Sequence, residues 1–70
     1  MERHQTIALL KEIVTHDLAQ PTAIYIRENK DKFELIMKDD CRSPLQNFIK
    51  EKGLKWRVRK EMGVCIIYKP

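Results

Sequence analysis

The sequence predicts one α+β domain of order αββαββ, with two helices packed on one face of a mainly antiparallel four-stranded sheet. Three observations carry that expectation. Apolar residues recur at helical spacing in two segments, 6–18 and 43–52, and at strand spacing in the segments that follow each of them. A chain of 70 residues has room for one hydrophobic core, so residues 1–70 are expected to form a single domain. The two halves also resemble each other as helix–strand–strand units, and neither unit is large enough to bury its apolar face alone.

The first helix is expected over "TIALLKEIVTHDL", residues 6–18. Ile7, Leu10, Val14 and Leu18 form one stripe, widened by Leu9 and Ile13. Thr6 is placed to cap the start, and Pro21 to end the helix, because a residue before proline avoids helical geometry. Residues 22–38 then read as two strands about the polar turn "ENKDK". Ile24 and Ile26 alternate with Tyr25 and Arg27, and Phe33, Leu35 and Met37 alternate with Glu34, Ile36 and Lys38. Phe33, Ile36 and Met37 also fit helical spacing. The β-branched and aromatic residues beside the turn favour strand for 31–39.

The second helix has the clearest local chemistry. In "SPLQNFIKEK", residues 43–52, Ser43 is an N-cap, Pro44 suits the first helical position and Gln46 completes a capping box. Leu45, Phe48 and Ile49 form its apolar stripe, and Gly53 followed by Leu54 suits a left-handed C-cap. Residues 55–61 and 64–69 are expected to pair as a hairpin around Met62-Gly63. Short matches support a two-unit organisation consistent with internal αββ duplication: "LLKE" (9–12) with "FIKE" (48–51), "IYIR" (24–27) with "WRVR" (56–59), and "FELIMK" (33–38) with "VCIIYK" (64–69).

Charge is unevenly placed. Residues 1–35 carry five basic and six acidic side chains, whereas residues 36–70 carry nine and four. The stretch "KEKGLKWRVRK" (50–60) alone holds six basic residues against Glu51. Such asymmetry favours an anionic partner. In the final hairpin, alternation puts Trp56, Val58, Cys65 and Ile67 on one face, and Arg57, Arg59, Val64, Ile66 and Tyr68 on the other. The first set suits the core. The second mixes guanidinium groups with an aromatic ring, the combination with which proteins hold a single-stranded nucleic acid. The equivalent places in the first unit hold Tyr25 and Arg27, expected beside Leu35 and Met37. The candidate nucleic-acid contacts are therefore Lys55, Arg57, Arg59 and Lys60 for phosphates, with Arg27 beside them, and Tyr68 and Tyr25 for stacking.

Catalytic signatures are weak. Cys41 and Cys65 form no CxxC pair, metal-ligand spacing is missing, and two glycines cannot build a phosphate loop, so no cofactor or metal is expected. Free thiols in a reducing cytoplasm are the expectation, although spacing alone leaves a Cys41–Cys65 disulfide open. Cys41 precedes a helix and Arg42, which would acidify it, while Asp39 and Asp40 oppose. His16-Asp17 lacks an adjacent nucleophile, and Asp39-Asp40 lacks further cation ligands. No apolar run approaches a membrane span, and the charged, amphipathic "MERHQTIALLKE" is unlike a signal peptide.

Two resemblances bear on function. The αββαββ order resembles the core of homing endonucleases of the dodecapeptide class. The acidic, Gly-containing helix motif that carries their nuclease activity is missing here, so that activity does not transfer. The segment "LIMKDDCRSPLQNFIKEKGLKWRVRKEMGVCIIYKP" resembles the second half of the small sulfur carriers related to SirA and TusA, which implies a thiol function at Cys41. Their Cys-Pro-x-Pro motif is absent, and "CRSP" precedes the other helix. The expectation is a small non-enzymatic regulatory or accessory protein that binds nucleic acid through its basic β-hairpin. Its alternatives are a protein-interaction module or homodimer using the apolar sheet face, a winged-helix DNA-binding regulator if 31–39 is helical, and a sulfur carrier.

Overall fold

Both helices of the computed structural model, which describes residues 1–38 and 41–70, pack on the same face of one antiparallel sheet. The order along the chain is α1 (Arg3–Thr15), β1 (Ile24–Asn29), β2 (Lys32–Met37), α2 (Ser43–Glu51), β3 (Lys55–Arg59) and β4 (Val64–Tyr68). Single turns of 3-10 helix at Pro21–Ala23 and Lys60–Met62 complete the connections. The sheet runs β1-β2-β4-β3, so the two αββ units meet through their second strands. The αββαββ order and the α+β class are as the sequence predicts. The expected roles of Asp39 and Asp40 fall outside the described residues.

The core is built from the helices, but on α1 its centre is Leu9 and Ile13, with Leu10, Val14 and Leu18 of the expected stripe only partly buried and Ile7 outside the cluster. Leu9 and Ile13 from α1 and Leu45 and Ile49 from α2 pack on Ile24, Leu35, Met37, Cys65 and Ile67 of the sheet. Trp56 is half-buried at the margin of this cluster, with the Lys50 ammonium 5.7 Å from its ring centroid. A Lys52–Glu12 ion pair of 2.9 Å ties the end of α2 to α1.

Several local expectations need correction. The first helix starts at Arg3, not at Thr6, and Thr6 lies within it, fully buried, donating from Oγ1 to the Glu2 carbonyl. It ends at Thr15, well before Pro21, because Asp17 adopts a left-handed φ of 58°. The amides of Asp17 and Leu18 then bond the carbonyls of Val14 and Ile13, which is a Schellman cap. The second helix ends in the same motif at Gly53, where the amides of Gly53 and Leu54 bond Lys50 and Ile49. At its start the N-cap is Arg42, whose side chain makes no capping bond: Ser43 is already helical, and Gln46 reaches back to the Cys41 carbonyl instead of closing a capping box.

The described part of the segment 31–39, residues 31–38, is not helical. Lys32–Met37 is a strand paired on both sides, because Ile36 and Leu35 each fill one face of the sheet. The winged-helix alternative loses its premise. The turn before it comprises Lys30 and Asp31 alone, both at positive φ, as in a type I′ hairpin. A two-residue loop sets Tyr25 opposite Ile36 and Arg27 opposite Glu34. Leu35 and Met37, expected beside Tyr25 and Arg27, point into the helix-covered core instead. In the second hairpin the loop is four residues, 60–63, in place of Met62-Gly63 alone, so Arg59 pairs with Val64, two residues away from the Ile66 that a two-residue loop would place opposite it. That shift is even, so every side chain keeps its expected face, but Val58, expected in the core with Trp56, is 53% exposed near the end of the edge strand.

The same register relates the two units by an approximate two-fold axis through the Ile36–Ile66 pair, at the middle of the β2–β4 ladder. This axis matches "IYIR" with "WRVR" as expected. It aligns Leu35-Ile36-Met37 with Cys65-Ile66-Ile67, one residue away from the match read in the sequence. On the helices the shared Schellman caps align Leu9 with Leu45, Ile13 with Ile49 and Leu18 with Leu54, in place of "LLKE" with "FIKE".

Two consequences can be measured by urea unfolding followed through Trp56 fluorescence. Asp17→Gly should raise stability by about 0.5–1 kcal/mol, because glycine removes the cost of left-handed geometry at that cap. Ile49→Ala, at a site with no solvent exposure, should cost about 3 kcal/mol.

Candidate functional site

The sheet face turned away from the helices is covered by side chains of the sheet itself. Its centre is a small apolar cluster of Ile36, Ile66 and Val64, all buried and separate from the main core. No helix residue belongs to that cluster. Alternation places Tyr25, Arg27 and Asn29 of β1 on this face, with Lys32 and Glu34 of β2, Tyr68 of β4, and Lys55, Arg57 and Arg59 of β3. Lys38 joins them: its amide extends the ladder to the Ala23 carbonyl, and its ammonium lies 5.9 Å from the Tyr25 ring centroid.

Glu34 organises the arginines. It is buried, one residue along β2 from Leu35, and so lies beside Tyr68 in the neighbouring strand. Arg27 donates from Nη2 to Glu34 Oε1 at 2.9 Å, and Arg57 donates from Nη2 to Oε2 at 3.3 Å. Asn29 Nδ2 adds a longer contact to Oε1 at 3.4 Å. The Arg57 guanidinium also lies 5.0 Å from the Tyr68 ring centroid. Arginine stems and this stacked pair explain how Ile36 and Ile66 are buried on a face without a helix. Arg59 pairs with Glu61 at 3.0 Å. The backbone N–H of Glu61, then Arg59, hold the Glu61 carboxyl below its ordinary value.

This face carries six basic side chains (Arg27, Lys32, Lys38, Lys55, Arg57 and Arg59) against Glu34, a formal +5. The whole chain is +4, so all remaining positions sum to −1. The basic excess that the sequence shows along its second half is thus a property of one surface. Of the residues singled out from the sequence, Tyr25, Arg27, Lys55, Arg57, Arg59 and Tyr68 do share that surface. Lys60 lies in the hairpin loop beyond it. Tyr68 is a platform for Arg57, whereas Tyr25 is the more exposed ring, 43% exposed with the Lys38 ammonium beside it. Sequence reasoning missed Glu34, Lys38 and Lys32. The usable signal was strand alternation after a two-residue loop.

The apolar-face alternative is altered by the same register. Leu35 and Met37 are in the main core, and Val64 and Ile66 are already buried within one copy. Two such faces brought together would set +5 against +5.

The thiols do not resemble a carrier site. Cys41 and Cys65 are unbridged and buried in the main core. A hydrogen bond with Cys65, and then burial, push the Cys41 thiol well above its ordinary value. A nucleophilic thiol needs the reverse. His16 lies against Phe48, with ring centroids 5.9 Å apart, at the C-cap of α1. Among the described residues no cluster of three or more His, Cys, Asp or Glu side chains is placed to hold a metal ion, and no helix is long and apolar enough to cross a membrane.

Comparison with known proteins returns no matching family model, no matching curated protein and no matching solved structure.

The raised Cys41 thiol has a direct consequence. Iodoacetamide at about pH 8 should leave both cysteines of the folded protein unmodified over a time that fully labels the urea-unfolded chain, as read by intact mass. Rapid single labelling at Cys41 in the folded protein would contradict the buried, hydrogen-bonded assignment.

Proposed function

We propose that this is a small non-enzymatic accessory or regulatory protein that binds single-stranded nucleic acid across the outer face of its sheet. The observation that supports the reading is the segregation of charge: +5 on one sheet face and −1 over everything else. Phosphates supply the matching charge, and their neutralisation releases condensed counterions. The exposed Tyr25 ring offers a stacking surface to an unpaired base. Lys38 beside that ring, and Lys55, Arg57 and Arg59 along the edge strand β3, line the path of a backbone.

Width argues for a single strand over a duplex. Four strands span about 14 Å between the outer backbones, before side chains are added. The major groove of B-DNA is about 12 Å wide and admits a helix or a two-stranded ribbon. This face has neither a helix nor a protruding ribbon, so a flexible strand laid across it makes more contacts than a duplex can.

Fluorescence anisotropy with labelled oligo(dT) and oligo(U) of about 12 nucleotides tests the reading. Binding should fall with salt with a log–log slope of about −3, as for four or five phosphate contacts to a single strand. Tyr25→Ala should weaken binding by about ten-fold, and Lys55→Ala with Arg59→Ala by a similar factor and with a shallower slope. Lys11→Ala with Arg3→Ala removes the same two charges from the exposed side of α1 and should change affinity less than about two-fold. Equal losses from Lys11→Ala with Arg3→Ala and from the sheet-face variants would overturn the assignment.

A further inference from the structure

Arg27 and Arg57 belong to opposite edges of the sheet. Strands β2 and β4 lie between theirs, a backbone separation of about 14 Å. Their guanidinium groups nevertheless end on the two oxygens of one carboxylate. Two like charges in water move apart, so their convergence depends on the anion between them. The Glu34 side chain is 8% exposed, whereas those of Arg27 and Arg57 are 36% and 43% exposed. The carboxylate is therefore beneath, and the arginines lie between it and solvent. Each arginine uses only Nη2 on Glu34, although a guanidinium carries five N–H donors. Tyr68 fixes Arg57 further by stacking.

The result is a pair of oriented guanidinium groups, formal charge +1 with Glu34 included, with unused donors on an open surface. A phosphodiester has one negative charge and two non-bridging oxygens, which suit such a fork. We propose that Glu34 is a positioning residue that assembles Arg27 and Arg57 into a single binding site for one backbone phosphate of the strand. The proposal rests on the reading of this face as a single-strand surface. It adds a role that charge counting would assign with the opposite sign. An anion inside a phosphate-binding face should weaken binding by repulsion. An anion that gathers two arginines should strengthen it, because two long side chains held in advance lose less freedom when the phosphate binds.

The test uses the same labelled oligonucleotides with Glu34→Gln, Arg27→Lys and the two combined, each checked for folding by circular dichroism. Glu34→Gln keeps the shape and makes the face more positive, yet it should bind about five-fold more weakly than wild type. Arg27→Lys keeps the charge but loses the planar fork, and should lose about as much. The combined variant should lose no more than either single change, since both break one assembly. Equal or tighter binding by Glu34→Gln, or fully additive losses, would overturn the proposal. If Glu34→Gln does not fold, Arg27→Lys and Arg57→Lys decide, and affinities within about two-fold of wild type overturn it. Failure of the wild-type protein to bind either oligonucleotide removes the single-strand reading itself. Wild-type binding with unaffected variants removes only the role of Glu34.

Discussion

The antiparallel pairing of β2 with β4 is the constraint on which the rest of the molecule depends. Each αββ unit has a hairpin and one helix, too little to bury an apolar face in isolation. Three rungs, Leu35–Ile67, Ile36–Ile66 and Met37–Cys65, join the two. The outer rungs feed the helix-covered core. The middle rung points the other way and becomes the centre of the opposite face. One register therefore sets both the core and the surface with functional potential. A slip of one residue would turn Leu35 and Met37 outward and Glu34 into the core, exchanging two well-matched faces for two poor ones.

An isoleucine pair in the middle of an uncovered sheet face needs a cover. The chain supplies it from its own charged residues. Arg27 and Arg57 lie inward over the sheet because Glu34 is buried there to receive them, and Tyr68 carries the second of them. The interaction that shields Ile36 and Ile66 also concentrates guanidinium groups at the centre of a +5 surface. An association surface built from apolar residues would leave them open, and here they are closed within a single copy.

Much of this was legible in the sequence where the signal is local. Leu45 and Ile49 on the second helix, the cap at Gly53, and the separation of Trp56 from Arg57 across the last hairpin all follow from neighbouring residues. What was not legible depends on backbone states that their residues do not advertise. Asp17, Lys30 and Asp31 adopt positive φ without being glycine. Asp17 thereby ends α1 early. Lys30 and Asp31 shorten the first hairpin loop to two residues, which decides whether Ile36 or Leu35 stands beside Tyr25. Glu34 could be placed only after that parity was known. Its second partner, Arg57, comes from a strand 23 residues away, across the β2–β4 junction. The four-residue loop 60–63 was equally hidden, but its even shift left the faces intact.

The most direct measurement of the central claim is where a single strand touches the protein. Nuclear magnetic resonance titration with unlabelled oligo(dT) of about 12 nucleotides reads this residue by residue. On binding across the sheet face, the Arg27, Arg57 and Arg59 side-chain N–H signals, the Tyr25 ring and the Ile36 and Ile66 methyls should shift together, while Leu10, Lys11 and Asn47 on the helix side stay still. Shifts concentrated on α1 and α2, with the sheet face silent, would contradict it.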